Sequence, residues 1–241
     1  MAKFSFKRVE KKYIVTKSQR DELLKELLLY MEYDKYCVGE KTYKIQNIYY
    51  DTPDDVLISK SIQKPVYKEK LRARKYVGTQ NCFLEIKKKA DGVVGKRRIT
   101  LSLDELDDFV LNGKPPVREK FIDKQVIKEI QYLLNLYPVV PKVYISYERL
   151  ALFDKEDSEF RITFDNQIHT KRNNVVFDQD DYEVNILDEG LYILEIKSVR
   201  NYPLWLVNKL SELKIYPHSF SKYGTEYKMY YINKKKEKQN A

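Results

Sequence analysis

Apolar and charged residues alternate along much of the chain with a period of two, the pattern of β-strands that have two different faces. In one such run, Leu84 and Ile86 alternate with Glu85 and Lys87. We therefore expect strands with one apolar face and one face that carries several charges. The predicted strands lie at residues 4–15, 43–50, 66–76, 82–88, 93–101, 139–153, 160–164 and 191–199.

Helical patterns interrupt the strands at four places. Thr16 with Gln19, and Ser102 with Glu105, have the spacing of a capping box, in which side chains bind the free N–H groups at a helix start. Four helices are predicted: one after Thr16, one over residues 102–111, one over residues 119–137 and one that has Pro203 in its first turn. Strands joined by turns, with helices inserted between some of them, favour an α+β fold with an antiparallel sheet.

The charged strand faces are unusually rich in basic residues. Arg72 and Arg74 share one face of their strand, and Lys96 and Arg98 share a face of theirs. One interpretation is an open sheet with helices on its apolar face and water on its charged face. The other is a closed barrel whose charged faces line a lumen, which would need a bound polyanion because unpaired buried charge is costly. Strand parity alone leaves both interpretations open.

The composition indicates a folded, basic protein. Of the 241 residues, 43% are apolar and 34% are charged, which excludes a disordered chain, a fibre and a membrane-embedded protein. The 45 Lys and Arg against 36 Asp and Glu give a net charge of +9. The lysine-rich segment 234–238 carries only part of this excess, so we expect an anionic partner: a nucleic acid, a membrane surface or a polyphosphorylated small molecule.

Cysteines and histidines carry no recognisable chemistry. Cys37 and Cys82 lie far apart, and His169 and His218 lack the spacing of a metal-binding pair, so neither a disulfide framework nor a zinc site is expected. The N-terminus shows no signal-peptide pattern, and no apolar run is long enough to cross a bilayer. We expect a cytoplasmic protein, either free or peripheral to the inner face of the membrane.

An ordered set of short motifs resembles a known family. The motifs are Arg72-Ala73-Arg74, Phe83-Leu84-Glu85-Ile86-Lys87, Lys96-Arg97-Arg98, Phe160-Arg161-Ile162-Thr163-Phe164-Asp165, Leu194-Glu195-Ile196-Lys197 and Ser219-Phe220-Ser221-Lys222-Tyr223-Gly224. Their order is similar to that of the VTC domain, the polyphosphate polymerase domain of the vacuolar transporter chaperone complex, which is also found in bacteria. The resemblance spans residues 4–231. It implies the fold of the triphosphate tunnel (CYTH-like) superfamily, an eight-stranded antiparallel β-barrel with helices packed on its outside.

The resemblance also implies an organisation and a set of site residues. We expect one tunnel domain over residues 1–232 and a basic, disordered tail over residues 233–241. The implied phosphate-binding catalytic residues are Lys12, Arg72, Arg74, Lys87, Lys96, Arg149, Arg161 and Lys222. Further substrate-binding residues would be Arg8, Arg98, Lys197 and Ser221. Glu195 and Glu10 would hold the cofactor, Mn²⁺ or Mg²⁺.

One position departs from the pattern of the superfamily. The wider superfamily begins with Glu-x-Glu-x-Lys, whereas this chain has Arg8-Val9-Glu10-Lys11-Lys12, so Arg8 replaces the first glutamate. With one carboxylate fewer, the site is less able to hold a second metal or to activate water. The departure weakens the case for hydrolysis more than the case for phosphate transfer.

The residue types suit phosphoryl transfer independently of the resemblance. Planar guanidinium groups match phosphate oxygens, and transfer depends mainly on positioning and on neutralising the equatorial oxygens. The predicted function is therefore a polyphosphate polymerase that transfers the γ-phosphate of ATP to a growing polyphosphate chain in the tunnel and releases ADP. The expected partners are ATP, inorganic polyphosphate and a separate membrane protein for translocation, with no specific nucleic acid.

Three alternatives stay open at this point. The first is a hydrolase of the same superfamily that acts on inorganic triphosphate or a nucleoside triphosphate. The second is a module that binds polyphosphate without turnover. The third is a basic nucleic-acid-binding protein, since 21 tyrosines could stack on bases.

Overall fold

The computed structural model describes residues 9–91, 93–157, 159–178 and 181–239. Arg8, predicted to bind substrate, lies outside these residues. The strands are β1 (Val9–Thr16), β2 (Met31–Tyr33), β3 (Tyr43–Asp51), β4 (Tyr67–Tyr76), β5 (Cys82–Ala90), β6 (Val93–Leu101), β7 (Val140–Asp154), β8 (Arg161–Lys171), β9 (Val184–Asn185) and β10 (Leu191–Ser198). The helices are α1 (Lys17–Tyr30), α2 (Val56–Ile62), α3 (Leu103–Val110), α4 (Phe121–Leu136), α5 (Leu204–Glu212) and α6 (Lys222–Gln239).

Eight strands form the main path of an antiparallel sheet, in the order β1-β10-β8-β7-β3-β4-β5-β6. The short strand β2 pairs with β7, and β9 pairs with β8. The path begins at β1 and ends at β6, so hydrogen bonds do not close the sheet within the part of the chain that the structure describes. The α+β class, the antiparallel sheet and its eight main strands agree with the prediction.

The chain divides into two compact units. The first unit contains residues 1–44, 147–168 and 187–221, and the second contains residues 45–146, 169–186 and 222–241. Both units are discontinuous in sequence, and three of the boundaries between their segments fall inside β3, β7 and β8. The prediction of one domain over residues 1–232, followed by a disordered tail, stays a prediction, although the backbone of α6 is helical to Gln239.

In the first unit, the apolar faces of β1, β8 and β10 pack against α1 and α5. The sheet contributes Tyr13, Phe164 and Leu194 to this core, and the helices contribute Leu27 and Leu206, all of them buried. The capping box predicted at the start of α1 is present: the Thr16 side chain accepts from the backbone of Gln19, whose side chain accepts from the Thr16 backbone. Burial of the apolar strand faces leaves their charged faces turned away from these helices.

In the second unit, the apolar faces of β4, β5 and β6 pack against α3 and α4. Leu71, Leu84 and Ile99 come from the three strands, while Phe109 and Ile130 come from the two helices. The start of α3 has the predicted capping box, formed by Ser102 and Glu105. The helices cover the apolar sheet face, as the sequence predicted.

The number of helices was wrong, because the described residues contain six α-helices and the sequence predicted four. The omitted α2 has only seven residues, too few for a clear helical period. Its first N–H groups are not bound by the N-cap side chain; those of Leu57 and Ile58 donate to the carboxylate of Asp51, which is not at the N-cap position. The omitted α6 has no continuous apolar stripe, so its sequence lacks the usual helical pattern. Strand β8 extends to Lys171, past the predicted end at residue 164. The prediction ended too early because polar residues interrupt the alternation after Phe164.

Candidate active site

The register of the second unit brings charged residues of three strands onto one face of the sheet. Arg72 lies between Tyr49 of β3 and Glu85 of β5, and Glu85 lies opposite Arg98 of β6. Directly paired residues of antiparallel strands lie on the same face. We call the part of this surface around Glu85 the Glu85 face; its charged residues are Lys70, Arg72, Arg74, Glu85, Lys87, Lys96 and Arg98.

Glu85 is the centre of a cluster of three basic side chains. Its carboxylate is 1% exposed and accepts from Arg72 Nε at 2.7 Å. Lys96 Nζ lies 2.6 Å from Glu85 Oε1, and Arg74 Nε lies 3.9 Å from Glu85 Oε2. Arg74 also donates to the side-chain oxygen of Asn47 at 3.1 Å. One carboxylate thus orients three cations, and the cluster keeps a positive excess that suits an anionic ligand.

The electrostatic consequences appear in two pKa values. Burial alone would raise the pKa of Glu85, but the nearby charges of Arg72, Arg74 and Lys96 lower it to about 2. Burial and the two guanidinium groups lower the pKa of Lys96 to about 8, against the opposing effect of Glu85. Glu85 is therefore ionised at neutral pH, whereas Lys96 titrates close to the physiological range.

The start of α6 is attached to the same unit through two tyrosines. The Tyr49 hydroxyl accepts from Arg72 Nη1 at 3.0 Å, and the Tyr49 ring packs on the Tyr223 ring with centroids 4.6 Å apart. Tyr223 donates to Asp51 Oδ2 at 2.8 Å. Lys222, the first residue of α6, directly precedes Tyr223. These contacts hold the α6 N-terminus, and with it Lys222, beside the strand that carries Arg72.

The first unit carries a second charged surface. Lys12 of β1 lies opposite Glu195 of β10, and in the neighbouring rank Glu10 lies opposite Lys197, which faces Arg161 of β8. We call this surface the Glu195 face; its charged residues are Glu10, Lys12, Arg149, Arg161, Asp165, Glu195 and Lys197.

Glu195 has three basic neighbours on this face. Lys12 Nζ lies 3.2 Å from Glu195 Oε1, Lys197 Nζ lies 3.1 Å from Oε2, and Arg149 Nη2 lies 3.8 Å from Oε2. Burial lowers the pKa of Lys12, but the charges of Glu195 and Glu10 outweigh burial and raise it above its usual value. Lys12 is therefore a permanent cation at neutral pH.

Arg149 is fixed in place by a buried carboxylate. Its Nε and Nη2 donate to the two oxygens of Asp165 at 2.6 and 2.7 Å, a bidentate pair in which Asp165 is 0% exposed. Burial lowers the pKa of Arg149, but the charge and the hydrogen bonds of Asp165 outweigh burial and raise this pKa above its usual value. The guanidinium therefore keeps one orientation, with its Nη2 also directed at Glu195.

A model of the VTC domain family matches residues 7–231. The chain belongs to the VTC domain family. The resemblance inferred from the ordered motifs is thereby confirmed. Among curated proteins, no match to this VTC domain is found.

Solved structures support the fold of this VTC domain. A candidate adenylate cyclase from Bacillus halodurans is 15% identical with a TM-score of 0.55, and the match covers 89% of this chain and 93% of that one. HpAC1 from Hippeastrum, a candidate adenylyl cyclase with a dominant triphosphatase activity, is 16% identical with a TM-score of 0.50 and coverages of 90% and 93%. At this identity the similarity shows a shared triphosphate tunnel (CYTH-like) fold and nothing finer.

The VTC domain offers two carboxylates that fit a divalent cation. Glu10 and Glu195 lie on the same face of paired strands, and Lys12 Nζ contacts both, at 3.5 and 3.2 Å. Within the described residues, no group of three or more His, Cys, Asp or Glu could hold a metal. Mg²⁺ at phosphate sites commonly takes one or two carboxylates and completes its shell with phosphate oxygens and water. The carboxylate pair therefore suits a cation that arrives with a phosphorylated substrate.

The structure places the predicted residues in two groups, one in each unit. The first unit contains Lys12, Arg149, Arg161, Lys197, Glu10 and Glu195, and the second contains Arg72, Arg74, Lys87, Lys96, Arg98 and Lys222. Arg161 lies at the edge of its group, where its guanidinium is 3.4 Å from Asp34 and from the Tyr43 hydroxyl. Lys87 is exposed and lies between Lys70 and Lys96, and Ser221 is exposed just before α6.

Sequence reasoning missed several members of both faces. Lys70 has the same strand parity as Arg72, so the alternation of the strand already places it on the Glu85 face. Asp165 stands inside one of the recognised motifs without an assigned role. Tyr223 likewise stands inside a recognised motif without an assigned role. Its contact with Tyr49 could not be found from the sequence, because the two residues are far apart in the chain.

No helix among the described residues has the length and apolar character needed to cross a membrane.

Proposed function

We propose that this VTC domain is a polyphosphate polymerase that transfers the γ-phosphate of ATP to the end of an inorganic polyphosphate chain and releases ADP. The observation that carries the proposal is the Glu85 cluster, in which one buried carboxylate aligns Arg72, Arg74 and Lys96. Three cations held by one anion favour a ligand with several adjacent negative charges. A triphosphate or polyphosphate has this character, with about one charge per phosphate group.

In the proposed reaction, the side chains bind and neutralise phosphates and form no covalent intermediate. The attacking atom is a terminal oxygen of polyphosphate, which is already ionised, so no side chain has to remove a proton from it. Arg72, Arg74 and Lys96 would stabilise the charge on the transferred group and on the departing ADP. On the Glu195 face of the first unit, Lys12 and Arg149 are permanent cations that suit phosphate binding there.

A divalent cation would be held by Glu195 and Glu10. When bound, Mn²⁺ or Mg²⁺ would supply positive charge to phosphate groups on the Glu195 face. Lys12, which contacts both carboxylates, would keep their positions fixed by its ion pairs. The choice between the two metals stays a prediction from the family resemblance.

Hydrolysis of a triphosphate is the second candidate, and it is supported by the dominant triphosphatase activity of the structural neighbour HpAC1. A hydrolase must also position and deprotonate a water molecule. This chain has Arg8 where the superfamily pattern has its first glutamate, so it has one carboxylate fewer to take that proton. We therefore rank transfer to polyphosphate above hydrolysis. A separate membrane partner and a location at the inner membrane face stay predictions.

The test incubates the protein with ATP and Mn²⁺ and analyses the products on a polyphosphate-stained gel, with ADP and orthophosphate measured in parallel. Arg72→Ala should abolish the polymer. Arg97→Ala is the matched control, because Arg97 has the opposite strand parity and pairs with Glu129 at 3.3 Å on the helix-covered side. Its polymer yield should equal that of the wild type.

The three products separate the candidate functions. A polymer ladder with an equal amount of ADP, lost in Arg72→Ala and kept in Arg97→Ala, supports the polymerase. Orthophosphate without polymer would instead establish the hydrolase. Tight polyphosphate binding with no product of either kind would leave a binding module and overturn the proposal.

A further inference from the structure

One end of the Glu85 face is aromatic instead of purely charged. Phe83 lies directly beside Arg74 in the register and is half-buried on the same face. Tyr76 packs edge-on against it, with ring centroids 6.1 Å apart. The guanidinium carbon of Arg98 lies over the Phe83 ring, 4.6 Å from its centroid. These three side chains form what we call the Phe83 corner.

Arg98 differs from the other arginines of the face in the partner it contacts. It lies directly opposite Glu85 in the register, yet the Glu85 carboxylate is taken by Arg72 and Lys96. Within the described residues, Arg98 forms no ion pair, and its side chain is exposed. Its guanidinium carbon lies over the Phe83 ring, and the exposed side chain remains available to a further flat group.

The spacing along the strands places this corner at a suitable distance from the phosphate-binding cations. Phe83, Glu85 and Lys87 follow one another on the same face of β5, so the corner and Lys87 are separated by four residues, roughly 13 Å of strand. Lys96, which faces Lys87, lies at the same end. A nucleoside triphosphate extended along β5 could thus direct its terminal phosphates at the lysines and its base at Phe83.

We propose that the Phe83 corner binds the nucleobase of the phosphoryl donor, with Arg98 stacked on the base and Phe83 supporting the guanidinium from behind. The inference rests on the proposed function, since it assumes that the Glu85 face binds the donor triphosphate. Bases stack readily on aromatic rings and on arginine planes, and this contact tolerates any base. The site should therefore prefer nucleoside triphosphates to inorganic triphosphate without strong discrimination between adenine and other bases.

The test measures the binding of ATP, CTP and inorganic tripolyphosphate by isothermal titration calorimetry. The variants are Arg98→Lys, which keeps the charge but loses the plane, and Phe83→Leu, which keeps an apolar side chain but loses the ring. In both variants the Kd for ATP and CTP should rise about 5- to 20-fold. The Kd for tripolyphosphate should change less than twofold, which also shows that each variant is folded. Arg97→Lys should bind all three ligands as the wild type does.

The ratio of ATP affinity to tripolyphosphate affinity decides the outcome. The inference is overturned if Arg98→Lys leaves that ratio unchanged. Weaker binding of both ligands would show that Arg98 contacts phosphate, and unchanged binding of both would show that Arg98 contacts neither ligand. Binding requires no turnover, so a failed polymerase assay with an altered ratio would refute the proposed function alone. Polymer synthesis with an unaltered ratio would refute the base site alone.

Discussion

The substitution Glu85→Gln tests whether one buried carboxylate organises the basic cluster of the second unit. The change keeps the shape of the side chain and removes its charge. Arg72, Arg74 and Lys96 would then lie close together without a common anion, so we expect the free protein to be less stable than the wild type. A bound polyanion would replace the lost charge, so it should increase the stability of the variant by more than that of the wild type. The prediction thus has two measurable parts.

The magnitude follows from the burial of the cluster. Loss of one partner from a buried ion pair costs about 3–5 kcal/mol. The side chains of Arg72 and Lys96 are 23% and 40% exposed, and water screens part of this loss, which leaves about 2–3 kcal/mol. The drop in the Glu85 pKa from 4.5 to about 2 leads to a similar value, about 3 kcal/mol as an upper bound. For a chain of this length, the melting temperature should fall by roughly 4–12 °C.

The assay is thermal unfolding followed by circular dichroism, with and without saturating tripolyphosphate. Glu69→Gln is the matched control. Glu69, on the neighbouring strand β4, is also buried, at 7% exposure, but it lies on the opposite face of the sheet from Glu85 and contacts Lys88 at 3.5 Å. Tripolyphosphate should raise the melting temperature of Glu85→Gln by more than that of the wild type. It should raise that of Glu69→Gln by the same amount as in the wild type.

Two results would refute the reasoning. A Glu85→Gln protein that unfolds at the wild-type temperature would show that the cluster does not depend on its central charge. A tripolyphosphate shift no larger than that of the wild type would show that the three cations do not contact the anion. The second result would also remove the main support for the proposed substrate.

Three further predictions concern single groups. ATP affinity, measured by calorimetry, should fall roughly three- to tenfold between pH 7 and pH 9, because Lys96 loses its charge as the pH rises through its pKa of about 8. The affinity of Lys96→Arg should show no such fall. Asp165→Asn should lower the free energy of unfolding in urea by about 3 kcal/mol, since Arg149 would stay buried with only the more distant carboxylate of Glu195, at 3.8 Å, to pair with among the described residues; a loss below 1 kcal/mol contradicts this. Tyr223→Phe should cost only about 1 kcal/mol in the same assay, because Asp51 keeps its backbone N–H donors, and a cost above 3 kcal/mol would show a larger role.

The sequence alone determined the local structure and the family. Alternation with a period of two placed Arg72 and Arg74 on one strand face and the apolar residues on the other, and the structure confirms both assignments. Capping boxes located the starts of α1 and α3 because their hydrogen bonds join residues only three positions apart. The order of the motifs indicated the VTC family, which the match over residues 7–231 confirms.

The tertiary structure alone decided which charges meet. Strand alternation showed the face on which Glu85 lies but not its partners, which are Lys96 of β6 and two arginines of β4. Parity fixes the face of a side chain, while its partners depend on which strands are neighbours and on their register. Tyr223 and Asp51, 172 positions apart, meet for the same reason. Such contacts arise when distant segments pack together, and no local period in the sequence encodes them.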